Sequence, residues 1–181
     1  MAAFTNRVAG AMRLNAASFE DVEHDASATG QAAFVVLAAS IARGLGYYQY
    51  GGISFAAGGA LIALAAWMAG ASLLWILGTR VLPGRRTEAD VGQLLRTVGF
   101  AQAPGIFAAV TVIPVIAPLA GLLVMIWTLM ATIIAVRQAL DYEDTLRAVI
   151  VCVLAVAVEA AVVAVLALFG LGLGLGVRTV Y

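Results

Sequence analysis

The chain has 181 residues, 64% hydrophobic and 11% charged, with ten basic residues balanced by ten acids. Mean hydropathy is +1.04. A neutral, strongly apolar chain offers no basic surface for nucleic acid, and its charges sit in short segments between long uncharged runs, the arrangement of a polytopic membrane protein. Cys152 is the single cysteine and lies in an apolar run, which excludes an intrachain disulfide. His24 is the single histidine, so His/Cys metal-site spacing is absent, and neither a metal nor a cofactor is expected.

Residues 1–28 place Phe4, Val8, Met12, Phe19 and Val22 near helical spacing with Arg13, Glu20 and Glu23 between them. This predicts an N-terminal amphipathic segment lying either on the membrane surface or on the protein's own cytoplasmic face, rather than a cleavable signal peptide. Ser27 or Thr29 is positioned to cap the next helix. Residues 29–181 form the membrane domain, with five expected spans.

The first, 30–47, meets Arg43 early and reaches its length if that side chain snorkels outward beside Tyr47, Tyr48 and Tyr50. The second, 53–79, is uncharged, carries small residues at Gly58, Gly59, Ala63, Ala66 and Gly70, and stops at Arg80 and Pro83-Gly84. The uncharged run from Val98 to Val136 would measure about 58 Å as one helix, roughly twice the hydrocarbon thickness, so it must fold back. Pro114 and Pro118 mark the turn, giving spans 98–114 and 118–136. Gln102, Pro104 and Gly105 predict that the third span is bent or partly unwound. The last span, 148–177, contains Glu159 and ends in Gly170, Gly172, Gly174 and Gly176 alternating with leucine, which favours fraying.

With five alternating crossings, Arg7, Arg13, Arg80, Arg85, Arg86, Arg96, Arg137 and Arg147 fall on one side, and Arg43 and Arg178 on the other. The positive-inside rule then predicts a cytoplasmic N-terminus, an external C-terminus and an external turn at Pro114 to Pro118.

Glu159 and Gln102 are the candidate intramembrane polar site. A carboxylate at that depth faces protein rather than lipid. It is read as a proton or cation site, as a polar contact between subunits, or as a neutral acid hydrogen-bonded to a neighbouring helix. The chain lacks a Gly-x-Ser-x-Gly elbow, a P-loop, a His-Glu-x-x-His motif and paired intramembrane aspartates, so no catalytic residue is assigned and an enzyme is the least supported class.

Three stretches carry a family resemblance: Asp25 to Ala32 (DASATGQA), Leu95 to Gly105 (LRTVGFAQAPG), and Trp127 leading to Ala135 through Tyr142 (AVRQALDY) with Thr145-Leu-Arg-Ala148. Together they resemble the prokaryotic branch of the Yip (Ypt-interacting protein) domain family, from about Phe19 onward. The resemblance implies five transmembrane helices and a cytoplasmic N-terminus. Eukaryotic relatives are linked to Rab-type GTPases, vesicle transport and membrane shaping, often as oligomers; the N-terminal region here is much shorter, which puts GTPase binding in doubt. By resemblance, Gly99, Phe100, Pro104 and Gly105 open the third span. Arg137, Asp141, Tyr142 and Arg147 hold the loop between the fourth and fifth, with Arg137 or Arg147 paired to Asp141. The function implied is a non-enzymatic scaffold or adaptor in a prokaryotic cytoplasmic membrane, surrounded by lipid, homo-oligomeric, and engaging a protein partner or lipid at its cytoplasmic face. The competing reading is a small transporter or channel for a proton, ion or lipid, using Glu159 and the bent third helix.

Overall fold

A computed structural model describes residues 2–46 and 48–168. The interfacial roles expected of the Tyr47, Tyr48 and Tyr50 side chains, the alternating glycines from Gly170 to Gly176 and Arg178 fall outside what it describes. The described residues contain helices and no strand: α1 Ala2–Met12, α2 Ala16–His24, α3 Thr29–Gly46, α4 Tyr48–Ile76, α5 Val91–Phe100, α6 Ala117–Ala139 and α7 Thr145–Leu168. A 3-10 turn at Ala26–Ala28 precedes α3, a π turn at Leu77–Val81 closes α4, and a 3-10 helix at Ala103–Val112 continues the line of α5. Among the described residues five stretches are long and apolar enough to cross a membrane: Ala26–Leu45, Gly59–Val81, Val91–Val112, Ala117–Ala139 and Thr145–Ala167.

Local chemistry sets the boundaries. Asp90 and Gln93 form a reciprocal capping box, the Gln93 amide donating to Asp90 Oδ1 at 2.9 Å and the Asp90 amide to Gln93 Oε1 at 2.6 Å. The third span therefore starts at Val91, a turn and more before the uncharged run begins. The cap ahead of α3 is Asp25, whose carboxylate accepts from the Ser27 amide and hydroxyl at 2.9 and 2.6 Å, in place of Ser27 or Thr29. The expected reversal at Pro114 and Pro118 is present: 3-10 geometry ends at Val112 and α6 starts at Ala117.

The α6 terminus corrects one expectation. Asp141 has φ 49°, in the left-handed region. Its amide donates to the Gln138 carbonyl, and the Tyr142 amide to the Arg137 carbonyl, both at 2.9 Å. This is a Schellman ending with Asp141 as its left-handed residue, a conformation Asp tolerates better than most side chains. Among the described residues Asp141 joins no ion pair; Arg137 and Arg147 bond to backbone carbonyls instead.

The α1–α2 hairpin turns its apolar face onto the bundle. Phe4 meets Phe34 and Phe100 edge-on at 6.0 and 6.2 Å, Phe19 and Val22 are buried, and the Trp127 indole donates to the Met12 carbonyl at 2.8 Å. Arg7 clasps the hairpin through Asp21 at 2.6 Å and Asp25 at 2.8 Å. Two packed clusters result, one around Phe19, Val35, Phe100 and Ala135, the other around Leu74, Leu94, Leu140 and Val151, with Trp67 touching both. Where lipid surrounds a bundle, such clusters hold by close packing and hydrogen bonds rather than by expulsion of water.

Asp141→Gly leaves the unfolding midpoint in detergent unchanged or slightly raised, since glycine suits the left-handed position. Asp141→Val lowers stability by about 1–2 kcal/mol, the usual cost of that conformation for a residue with a full Cβ. Equal losses for both variants would indicate a missing carboxylate contact instead.

Candidate functional site

The residues singled out by sequence separate into two places. At the arginine-rich end, the loop after α6 is locked onto the end of α4. The buried Tyr142 hydroxyl donates to the Leu82 carbonyl at 2.7 Å, with the Gly78 carbonyl at 3.2 Å sharing the proton. Arg147 donates to the Pro83 carbonyl at 2.8 Å and lies 5.8 Å from the Tyr142 ring centre. The Thr87 hydroxyl donates to the Leu140 carbonyl at 2.7 Å, and Arg137 donates to the carbonyls of Tyr142 and Glu143 at 3.3 and 3.4 Å.

A second lock at the same end was not foreseen. Arg96 is 8% exposed and directs Nε and Nη2 at the Glu23 carbonyl, at 3.2 and 2.6 Å, while Gln93 Nε2 donates to Glu23 Oε1 at 3.0 Å. The apolar period of α2, with Phe19 and Val22 beside Glu23, was the available signal. Burial pushes the Glu23 carboxyl up to about 7, helped by the nearby Asp141 and Glu20 charges and opposed by His24 and Arg96.

The other place lies among the spans. Gln102 lies two residues beyond the end of α5, and its Oε1 accepts from Arg43 Nη2 at 3.0 Å. The Arg43 guanidinium thus turns inward against the broken third span instead of snorkelling outward. Gly105 makes room for it: a Cβ there would stand 2.6 Å from Arg43 Nη2 and 3.0 Å from the Ala39 Cβ. Gly99 serves the same need six residues earlier, since a Cβ would lie 2.7 Å from that of Ala32 and 3.2 Å from Trp67. Phe100 and Pro104 are fully buried beside them.

Arg43, Gln102 and Glu159 all line one cavity of about 600 Å³ bounded by α3, α4, α6, α7 and the third span. Glu159 reaches it across α4, its Oε1 lying 3.1 Å from where a Gly70 Cβ would be. Ala63, Ala66 and Gly70, the small residues of the second span, line this space, so their smallness leaves room for a cavity more than for a tight helix crossing. Thr128 also lines it, and its Oγ1 is a buried side-chain oxygen with no hydrogen-bond partner. Among the described residues no group of His, Cys, Asp and Glu is placed to hold a metal ion.

A chain whose described residues are helical, with five apolar crossings, Arg43 bonded to Gln102 between the spans and most charges gathered at helix ends, is a multi-pass membrane protein. The Yip1 domain family model matches residues 10–172. The chain therefore belongs to the Yip1 domain family. No curated protein and no solved structure matches it.

Tyr142→Phe removes the proton shared by the Gly78 and Leu82 carbonyls and lowers stability by about 1–3 kcal/mol, readable as a lower denaturation midpoint in detergent. Glu23 gives a pH dependence. Its folded pKa is raised, so its contribution is fully present below its ordinary value and is lost as pH rises through about 7. The melting temperature falls between pH 5 and pH 8, and Glu23→Gln flattens that part of the profile; an unchanged slope in the variant would assign the titration elsewhere.

Proposed function

We propose that this Yip1-family protein is a non-enzymatic membrane scaffold that assembles with copies of itself and presents a rigid, charged face to a cytoplasmic partner or to anionic lipid. The observation that carries the reading is the contrast between the two ends of the bundle. The arginine-rich end is fastened by side chain to backbone bonds, and exposed Arg85, Arg86, Glu88, Glu143 and Asp144 stand on that frame. Toward the other end, every residue of α7 from Val156 to Ala167 is exposed, and only 17% of the α7 span and 11% of the α4 span are buried. Val158, Val162 and Val165 form one bare ridge on α7, suited to another helix.

The positive-inside rule supports placing the fastened end in the cytoplasm, with the N-terminus there and the Pro114 to Pro118 turn outside. The transport reading draws on the cavity that joins Gln102, Arg43 and Glu159 beside a broken span. The scaffold is preferred because it accounts for both the fastened end and the exposed length of α7.

In membranes, Val162→Cys on a Cys152→Ser background forms an oxidative dimer, whereas Val115→Cys at the far turn does not. Monomer at every α7 position tested would end the oligomer reading. Thiol labelling of Arg86→Cys from the cytoplasmic side only, in right-side-out and inverted vesicles, checks the orientation.

A further inference from the structure

Arg43 and Glu159 face the same cavity, and among the described residues neither forms an ion pair. Arg43 has its hydrogen bond to Gln102, which satisfies one of five guanidinium donors. Glu159 stands about 18 Å along the α7 axis from Arg147, deep in the hydrocarbon. Separated opposite charges in a low-dielectric setting are costly unless each has a partner. The remaining lining is mostly apolar, and Met125, Leu129 and Val156 line the cavity while also being exposed at the surface. The space therefore opens sideways between α6 and α7, toward the acyl chains.

We infer that this cavity is a binding site for the headgroup of a zwitterionic phospholipid, with the phosphate on Arg43 beside Gln102 and the ammonium on Glu159. A cation and an anion lining one pocket are complementary in charge to a phosphate and an ammonium joined by a short linker. A singly charged anionic headgroup would satisfy Arg43 and leave Glu159 unmatched. The lateral opening accommodates acyl chains that remain in the bilayer, so the headgroup enters without the chains leaving hydrocarbon. One copy of the chain supplies the whole site, so it stands or falls independently of assembly through the valine ridge.

The test is native mass spectrometry of the full chain released from nanodiscs of mixed phosphatidylethanolamine and phosphatidylglycerol. The wild type retains phosphatidylethanolamine about tenfold in excess of the bulk ratio, the scale of one charge-assisted hydrogen bond. Glu159→Gln brings the retained ratio to the bulk value while phospholipid is still held. Arg43→Gln loses both lipids. Val156→Trp, at an exposed rim position that tolerates bulk, narrows the opening and lowers occupancy, which keeps the test informative if Arg43→Gln does not fold. Free phosphoethanolamine added in detergent leaves the melting temperature unchanged where the lipid raises it, which separates a membrane lipid from a soluble zwitterion. Equal headgroup ratios in wild type and Glu159→Gln overturn the proposal. So does a lipid-free cavity in which Val156→Cys cross-links to a second copy.

Discussion

A backbone amide or carbonyl inside hydrocarbon has no water to turn to, and the third span shows how this chain meets that demand. Its helix breaks after Phe100, where Pro104 contributes no donor. The bonds are not abandoned: Ala101 donates to Thr97, then Gln102 to Gly99 and Gly105 to Gln102, so the ladder shortens from four-residue to three-residue steps. The 3-10 geometry that follows rises about 2.0 Å per residue, and the stretched segment covers the remaining depth with fewer residues than an α-helix would need. Such a segment persists only when surrounded, and 56% of this span is buried, more than of any other span among the described residues.

That central position governs what its neighbours carry. Gly99 and Gly105 are small because α3, α4 and the Arg43 side chain come within contact of the third span. Tryptophans supply the lateral ties: Trp67 donates to the Leu95 carbonyl at 3.0 Å, Trp75 to Ala89 at 2.8 Å and Trp127 to Met12 at 2.8 Å. Each ring packs with its apolar body while its single N-H joins another element, a useful device where hydrophobic drive between helices is missing. These ties concentrate toward the arginine-rich end. Among the described residues the halves of α6 and α7 away from that end have no comparable indole tie, and there the cavity opens and the valine ridge stands bare.

Spans, turn and break were legible because each rests on a strong local rule. Length without charge sets a crossing, proline sets the reversal, and Gln102-Ala-Pro-Gly105 sets the interruption. The capping box at Asp90 and Gln93 also has a local signature, an acid and an amide three residues apart, but it stands outside the uncharged run. The direction of Arg43 was not readable. Snorkelling and inward bonding differ only in which neighbour is within reach, and that neighbour, Gln102, is distant in sequence. Asp141 illustrates the same limit: an acid between two arginines suggests a pair, whereas the backbone used it as a left-handed helix ending. Polarity marks Glu159 and Gln102 in the sequence, and only the packing of α7 beside α4 and the third span brings them to one space.

On α7, Glu159 stands about 100° around the axis from Val158 and about 60° from Val162, so it borders the ridge of Val158, Val162 and Val165 without standing on it. A carboxylate on the valine ridge would have to enter any helix contact formed there; set aside from it, Glu159 can serve the cavity while the ridge serves assembly. Gly70 makes this possible from the facing helix, since a larger side chain would crowd the carboxylate where its Oε1 now lies 3.1 Å from the missing Cβ. The scaffold reading and the lipid site consequently use adjoining surfaces of one helix. A fastened base with loosely covered outer halves is what a protein needs if it is to hold a fixed face on one side of the membrane and exchange neighbours, lipid or protein, within it.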